Sequence, residues 1–303
     1  MKKDTFKDLN VEQVDEVVIH AHGGLIGCEM MSPYAWDEKD GTVHVLLRGV
    51  RPVHRGRPIT GCIYHGVSKD GIHFDMDEKP VLEPDDDPTS ADAGGCEDPT
   101  VVCTGGEYVV YYTGVEATGV HGVMLYATGK DMRSLKKQGV AHASTPSEGN
   151  VKEATIAQLP DGRWRLFYEY AHNQASLIGL AKGESIKGPW EQARQPFAPR
   201  PGHWDNWHLS TGPMLHGDKD RPIMIYNGAT RDARWRIGWI MFNRDCTEVI
   251  DRCIQPLITP PPPEERTGTD IAFAASALQR GDLYHLYYSI DDRCVYRAVI
   301  RIS

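Results

Sequence analysis

Amphipathic helical patterns are almost absent from this sequence, and no apolar run reaches 18 residues. Their absence argues against a helical bundle and against a membrane-spanning helix. The first residues, MKKDTFKDLN, carry lysines but no apolar stretch behind them. No secretory signal is expected there, and a cytoplasmic location is the expectation. Basic excess is also missing. The formal net charge is −9, which disfavours nucleic acid or an anionic membrane as the main partner. The seven cysteines are odd in number, scattered and never spaced C-x-x-C. That excludes the usual zinc patterns and argues against a disulfide framework. GGLIG at 23–27 lacks the lysine of a phosphate-binding loop and reads as a turn.

What the chain has is turns and short strands. It holds 30 glycines and 20 prolines, which bound apolar runs of four to seven residues. Five segments share one shape: strand, polar turn, apolar or aromatic strand, loop, further strand. The middle strands are VHVLLRG, EYVVYYTG, RWRLFYEY, RPIMIYNG and LYHLYYSI. The strands after them begin GCIYHG, GVMLYA, SLIGLA, RIGWIM and CVYRAV. The units recur every 45 to 65 residues or so, too long for most solenoid repeats and suited to propeller blades. An all-β, five-bladed β-propeller is expected. It would be a single domain over residues 1–303, with 1–40 as an N-terminal extension leading into the first blade. Tracts 195–203 and 260–266 resemble linkers, but the same unit continues on both sides, so they read as loops. Residues 7–18 fit a short helix or a strand equally.

In a propeller the first strand of each blade lines the central channel. At the openings of the five units stand Glu29, Asp98, Glu153, His208 and Asp270; in the middle strands stand Arg48, Thr113, Glu169, Asn227 and Ser289. A polar ring of this kind suits a carbohydrate, whose hydroxyls each require a partner. It also supplies carboxyl groups for glycoside cleavage, which takes one acid and one base or nucleophile. Crowded carboxylates raise at least one pKa, as a general acid requires. Asp98 before Pro99 also fits a plain turn residue, and Glu153 and Glu169 fit solvated ion-pair partners. Trp207, ahead of the fourth opening, is the best candidate for stacking on a sugar, against simple loop anchoring. His20 and His22 have H-x-H spacing but no evident further ligands, so a structural pair is favoured over metal.

Several motifs resemble glycoside hydrolase family 130: EDPT at 97–100, the YYTG strand, SKDGIHF, LSTGPML followed by IMIYNG, and the C-terminal DLYHLYYSIDDRCVYRAVI. The likeness runs from about residue 40 to the C-terminus. It implies a five-bladed propeller acting on β-mannosides, as a phosphorylase or as an inverting hydrolase. The aspartate of the family's E-D-P motif is its catalytic acid, which falls on Asp98, with Glu97 beside it. Arg48 matches an arginine of the family's first blade. Asp291, in the terminal motif, and Asp270 join Glu29, Trp207, His208 and Asn227 as substrate-binding candidates. A loop bordering the site in this family falls at Glu264 and Glu265, which otherwise read as exposed.

Three departures bear on the acceptor. Where phosphorylases carry H-R in blade three, this chain has Tyr168-Glu169; where they carry Y-H-G, it has Tyr226-Asn227-Gly228; where they carry K-D, it has Lys152-Glu153. Glutamate in place of arginine repels phosphate and can activate water. The expectation is therefore an inverting β-mannosidase, with Asp98 as acid and Glu169 or Glu153 as base, about 6.5–9.5 Å from it. A mannoside phosphorylase is the alternative, with phosphate held by Lys152, Arg231, Arg234 and Arg236. A non-catalytic sugar-binding propeller is the second alternative. No metal or organic cofactor is expected, and phosphate would be a co-substrate only for the phosphorylase. The partner would be an oligosaccharide, with the sugar, its linkage and the oligomeric state left open.

Overall fold

The computed structural model describes residues 8–51, 58–215, 217–262, 264 and 270–303. They form five sheets arranged as the blades of a β-propeller, antiparallel except where the edge strand Val18–His20 runs parallel to His73–Met76. The first strands of the blades are Glu29–Asp37, Gly95–Thr104, Gly149–Gln158, the pair His208–Ser210 and Met214–Leu215, and Ala272–Arg280. These five touch in a closed cycle and so form the wall of the central channel. The second strands are Val43–Val50, Glu107–Val115, Trp164–His172, Ile223–Ala229 and Leu283–Ile290, which places the expected middle strands where the repeat puts them. Tract 195–203 is a loop between blades three and four, as expected.

Each blade is covered on both faces by its neighbours. Its second strand is therefore buried over most of its length, and wholly so at Val109–Val115 and Ile223–Ala229. That is why these strands read as near-continuous apolar runs instead of alternating. Tyr64, Tyr111, Phe167, Tyr226, Trp239 and Tyr287 are each at most 2% exposed, and full burial of one such side chain stabilises by about 1.5–3 kcal/mol.

The stretch at 7–18 is extended, not helical. Leu9–Glu16 pairs antiparallel with Cys294–Ile302, so the N-terminal strand completes the last blade. The ring closes covalently distant ends through a sheet ladder, and Arg297 reinforces it on Asp15 at 2.7 Å. Short side chains then sew each channel strand to the next. Thr100 Oγ1 donates to Ala154 O at 2.6 Å, Thr155 Oγ1 to Gly212 O at 2.9 Å, and Ser276 Oγ to Pro33 O at 2.7 Å. Among the described residues no helix is long and apolar enough to cross a membrane.

Candidate active site

Three consecutive blades break their first strand at the same place. In blade one the pairing skips from Met31–Arg48 to Tyr34–Leu46; in blade two from Glu97–Thr113 to Thr100–Tyr111; in blade three from Lys152–Glu169 to Thr155–Phe167. The residues pushed out are Ser32, Asp98 and Glu153, with φ of 52°, 49° and 53°. Left-handed backbone at residues other than glycine is uncommon and gathers at functional sites. Here it turns three equivalent side chains toward one point on the axis. Ser32 Oγ donates to Asp98 Oδ1 at 2.7 Å, and the negative charge of Asp98 acts on the Glu153 carboxyl group.

The register corrects part of the expected ring. Arg48, Thr113, Glu169, Asn227 and Ser289 are equivalent, since each faces its channel strand at the matching pair. On the first strands, however, blade one presents Ser32 rather than Glu29. Blade four presents Thr211 rather than His208, and blade five Ala274 rather than Asp270. Glu29, His208 and Asp270 lie three or four residues ahead of these positions, which hold small, uncharged side chains that carry no sequence signal.

Two cations frame the carboxylates. Arg48 binds Glu97 Oε1 through Nη2 at 2.7 Å and approaches Asp98 Oδ1 through Nη1 at 3.5 Å. Its Nε and Nη2 also donate to Thr60 O at 3.1 and 2.9 Å. Lys152 Nζ lies 3.5 Å from Glu169 Oε1. Burial opposes the charge of Arg48, but Glu97, Asp98, Glu153 and Asp292 outweigh it and raise its pKa. Glu169 chiefly raises that of Lys152. Glu153 is pushed well above the usual carboxylate range by burial and by Asp98, against the pull of Lys152. Glu97 is raised by burial, with Arg48 opposing, and Asp292 by burial, also with Arg48 opposing. The result is a buried site with fixed positive charge in which burial and mutual repulsion favour the protonated form of Glu153.

The remaining candidates are placed around this centre. His208 accepts from Ser176 N at 3.0 Å through Nδ1 and senses Glu169 and Lys152; burial lowers its pKa, keeping the ring neutral. Trp207 donates to Gln174 O at 3.1 Å, and Arg231 lies 4.7 Å over its ring. Arg234 Nε binds Asp270 Oδ2 at 2.5 Å, and Arg236 Nη1 donates to Arg234 O at 2.7 Å. Arg231 and Arg234 lie between the second and third strands of blade four and Arg236 on the third; elsewhere in that blade Asp205 binds Arg200, Arg252 and Tyr226.

Glu29 is half-exposed and pairs with Arg293 at 3.0 Å. Asn227 is fully buried and is occupied by the fold. Its amide donates to Thr211 O at 2.6 Å and Ala274 O at 3.1 Å, and its oxygen accepts from Ala274 N at 2.7 Å. Of the Asp291-Asp292 pair, Asp292 is the one whose field reaches Arg48. Sequence reasoning missed Ser32 and Asp292. Ser32-Pro33 repeats the pattern of Asp98-Pro99 one blade earlier, a signal that would have found the first. Glu264 is exposed, and Glu265 lies outside the described residues. His22 binds Asp75 at 2.7 Å and His20 stacks near His73 at 6.4 Å. Among the described residues no group of three or more His, Cys, Asp or Glu could hold a metal ion.

Residues 57–303 match the model of the family described as β-1,4-mannooligosaccharide phosphorylase. A β-1,2-mannobiose phosphorylase of Listeria innocua is 29% identical over 78% of this chain, which spans 65% of that protein. A 1,2-β-oligomannan phosphorylase of a Thermoanaerobacter species is 25% identical over 87% of both chains. Among solved structures, the Listeria β-1,2-mannobiose phosphorylase with bound β-1,2-mannobiose superposes with a TM-score of 0.75 at 21% identity, over 96% of this chain and 91% of that one. A structure from work on GH130 glycoside hydrolases that target β-1,2-mannosidic linkages in Candida mannan superposes with 0.76 at 22%, over 99% and 95%. At these identities the superpositions speak for the fold.

Proposed function

The chain belongs to glycoside hydrolase family 130, and within it we propose an enzyme that cleaves β-mannosidic bonds in short oligosaccharides, with Asp98 as proton donor and phosphate as acceptor. The observation that carries this is the bulged Asp98, held by Ser32 at 2.7 Å and set between Arg48 and the Lys152 strand. Asp98 protonates the glycosidic oxygen, and the C1–O bond breaks with its electron pair going to that oxygen. A phosphate oxygen bonds C1 from the opposite face, so one displacement inverts a β-mannoside to an α-mannosyl phosphate. Three curated relatives in the family are phosphorylases of β-mannosides, which supports phosphate. Lys152 and Arg48 supply the cations, and the raised pKa values of Glu153, Glu97 and Asp292 reduce the negative charge an anion would meet.

Hydrolysis is the second reading, favoured by one specific feature. Glu169 places a buried carboxylate beside Lys152, a group able to take a proton from water. The test is product analysis on β-linked manno-oligosaccharides with and without inorganic phosphate. Mannose 1-phosphate, formed only with phosphate and lost in Asp98→Asn, is the expected result. Free mannose made regardless of phosphate moves the assignment to hydrolysis. Sugar binding with no turnover, unchanged in Asp98→Asn, leaves only a binding propeller.

A further inference from the structure

Behind the site, blades two, three and four repeat one contact. The residue just ahead of the ring position on the second strand is Tyr112, Tyr168 and Tyr226. Each hydroxyl donates to a carboxyl group five or six residues ahead of the channel position: to Asp92 at 3.0 Å, to Glu148 at 2.7 Å and to Asp205 at 2.6 Å. The fourth strand of the same blade supplies a third member. Lys137 Nζ binds Asp92 at 2.6 Å, Gln192 Nε2 donates to Glu148 at 2.5 Å, and Arg252 Nη2 binds Asp205 at 2.5 Å. Blade one has Leu47 at the tyrosine's place. Each latch ties the loop that enters a blade to that blade's second and fourth strands.

The latch of blade two leads straight into Asp98. Asp92 is 1% exposed, and its carboxyl group also takes Ser90 Oγ at 2.9 Å and Cys96 Sγ at 3.8 Å. Lys137 reaches Glu83 O as well, at 2.7 Å, so one side chain fixes both ends of the loop. From Asp92 onward the chain has no slack. Gly95 N donates to Asp92 O at 3.1 Å, Gly94 N to Val115 O at 2.7 Å, and Cys96 N to Gly61 O at 2.9 Å. A Cβ on Gly94 would stand 2.0 Å from Glu116 O, and one on Gly95 2.0 Å from Thr60 Oγ1. Thr60 N donates in turn to Gly94 O at 2.8 Å, and Thr60 O receives Arg48, the cation of Glu97 and Asp98. We propose that Asp92, Tyr112 and Lys137 are positioning residues for the acid step: their latch seats segment 92–98 and the Thr60 carbonyl together, and so sets where Asp98 stands against Arg48. This rests on the mannoside-cleaving reading above. A buried carboxylate keeps its place only while its donors hold it, and a displacement of about 1 Å at the reacting groups can cost about 100-fold in rate.

Tyr112→Phe removes one donor and no bulk. It is expected to lower kcat on β-linked mannobiose by about 10- to 100-fold while KM stays within about threefold. Tyr226→Phe breaks the equivalent latch of blade four, two blades from the acid, and should leave kcat within about threefold. The leaving group separates positioning from plain support. The dinitrophenolate of an aryl β-mannoside departs without a proton, so on that substrate Tyr112→Phe should cost less than about threefold. Lys137 is partly exposed, so Lys137→Met repeats the test from outside the core, and Lys137→Arg should restore most of kcat. An unchanged kcat in Tyr112→Phe, equal losses on both substrates, or equal losses in Tyr112→Phe and Tyr226→Phe would overturn the proposal. Hydrogen exchange supplies an arm independent of turnover. The amides of Gly94, Gly95 and Cys96 should exchange faster in Tyr112→Phe and stay protected in Tyr226→Phe. Unchanged exchange at these amides sinks the latch even if mannosides are cleaved. Faster exchange in a protein that cleaves no mannoside keeps the latch and sinks the functional assignment instead.

Discussion

Lys152 and Glu169 face each other across the first two strands of blade three, Nζ to Oε1 at 3.5 Å, in the last regular pair before the bulge at Glu153. On the proposed function, the group that accepts the mannosyl residue meets this pair. A phosphate must share Lys152 with a carboxylate that repels it. Glu169→Gln removes the repulsion and leaves the ammonium. The expected outcome is a KM for phosphate lower by about three- to tenfold, the effect of about 0.7–1.4 kcal/mol, with kcat of phosphorolysis retained. A phosphate-independent activity that falls by about 100-fold or more in the same variant would show Glu169 acting as a base on water.

Ser32 offers a cleaner probe of Asp98 than Asp98 itself. Its hydroxyl donates to the carboxylate at 2.7 Å from a residue with φ of 52°. Ser32→Gly deletes the hydroxyl while relieving the left-handed strain. Activity and stability should therefore part company. A hydrogen bond to a charged group contributes about 1.5–3 kcal/mol, so kcat/KM should fall by about 10- to 100-fold while the melting temperature stays level or rises. If both activity and melting temperature hold, Ser32 is a spectator.

Much of this site was legible in the sequence, and the limits are physical. The second strands are buried on both faces, so their apolar runs fixed the blades and aligned Arg48, Glu169 and Asn227 correctly. The first strands carry bulges, and a bulge turns one extra side chain out of the regular alternation. Glu29, His208 and Asp270 stand three or four residues ahead of Ser32, Thr211 and Ala274; their charge and polarity draw the eye of a sequence reader, while the residues at the matching positions are small and uncharged. Register also says nothing of what a polar residue bonds. Asn227 occupies a ring position equivalent to Glu169, yet its amide ties blade four to blade five. Asn227→Ala leaves two carbonyls and one N–H without partners in the core. It should cost about 2–5 kcal/mol, read as a lower denaturant midpoint. If stability is unchanged and only the KM for sugar rises, Asn227 contacts substrate after all.

The last blade carries a pH dependence separate from the chemistry. His285 stands on the second strand of blade five, where burial first, then Arg297 and Arg280, lower its pKa to about 4 against the pull of Asp15 and Asp37. In the unfolded chain the ring takes a proton near pH 6.5. Between that value and about 4 the unfolded state binds a proton the folded state refuses, so stability falls as pH drops through this window and levels off below it. The contribution is about 1–3 kcal/mol by linkage. His285→Gln removes the titrating group and keeps a polar side chain. Urea midpoints at pH 7 and pH 4.5 should therefore lie closer together in the variant than in the wild type. The Leu9–Glu16 strand closes this same blade, and Asp15 holds Arg297 there at 2.7 Å. Protonating His285 beside that arginine, at about pH 4 and below, sets two like charges against the strand that completes the ring, so hydrogen exchange there should rise first in Leu9–Glu16. Equal midpoint losses in variant and wild type would place the acid sensitivity elsewhere.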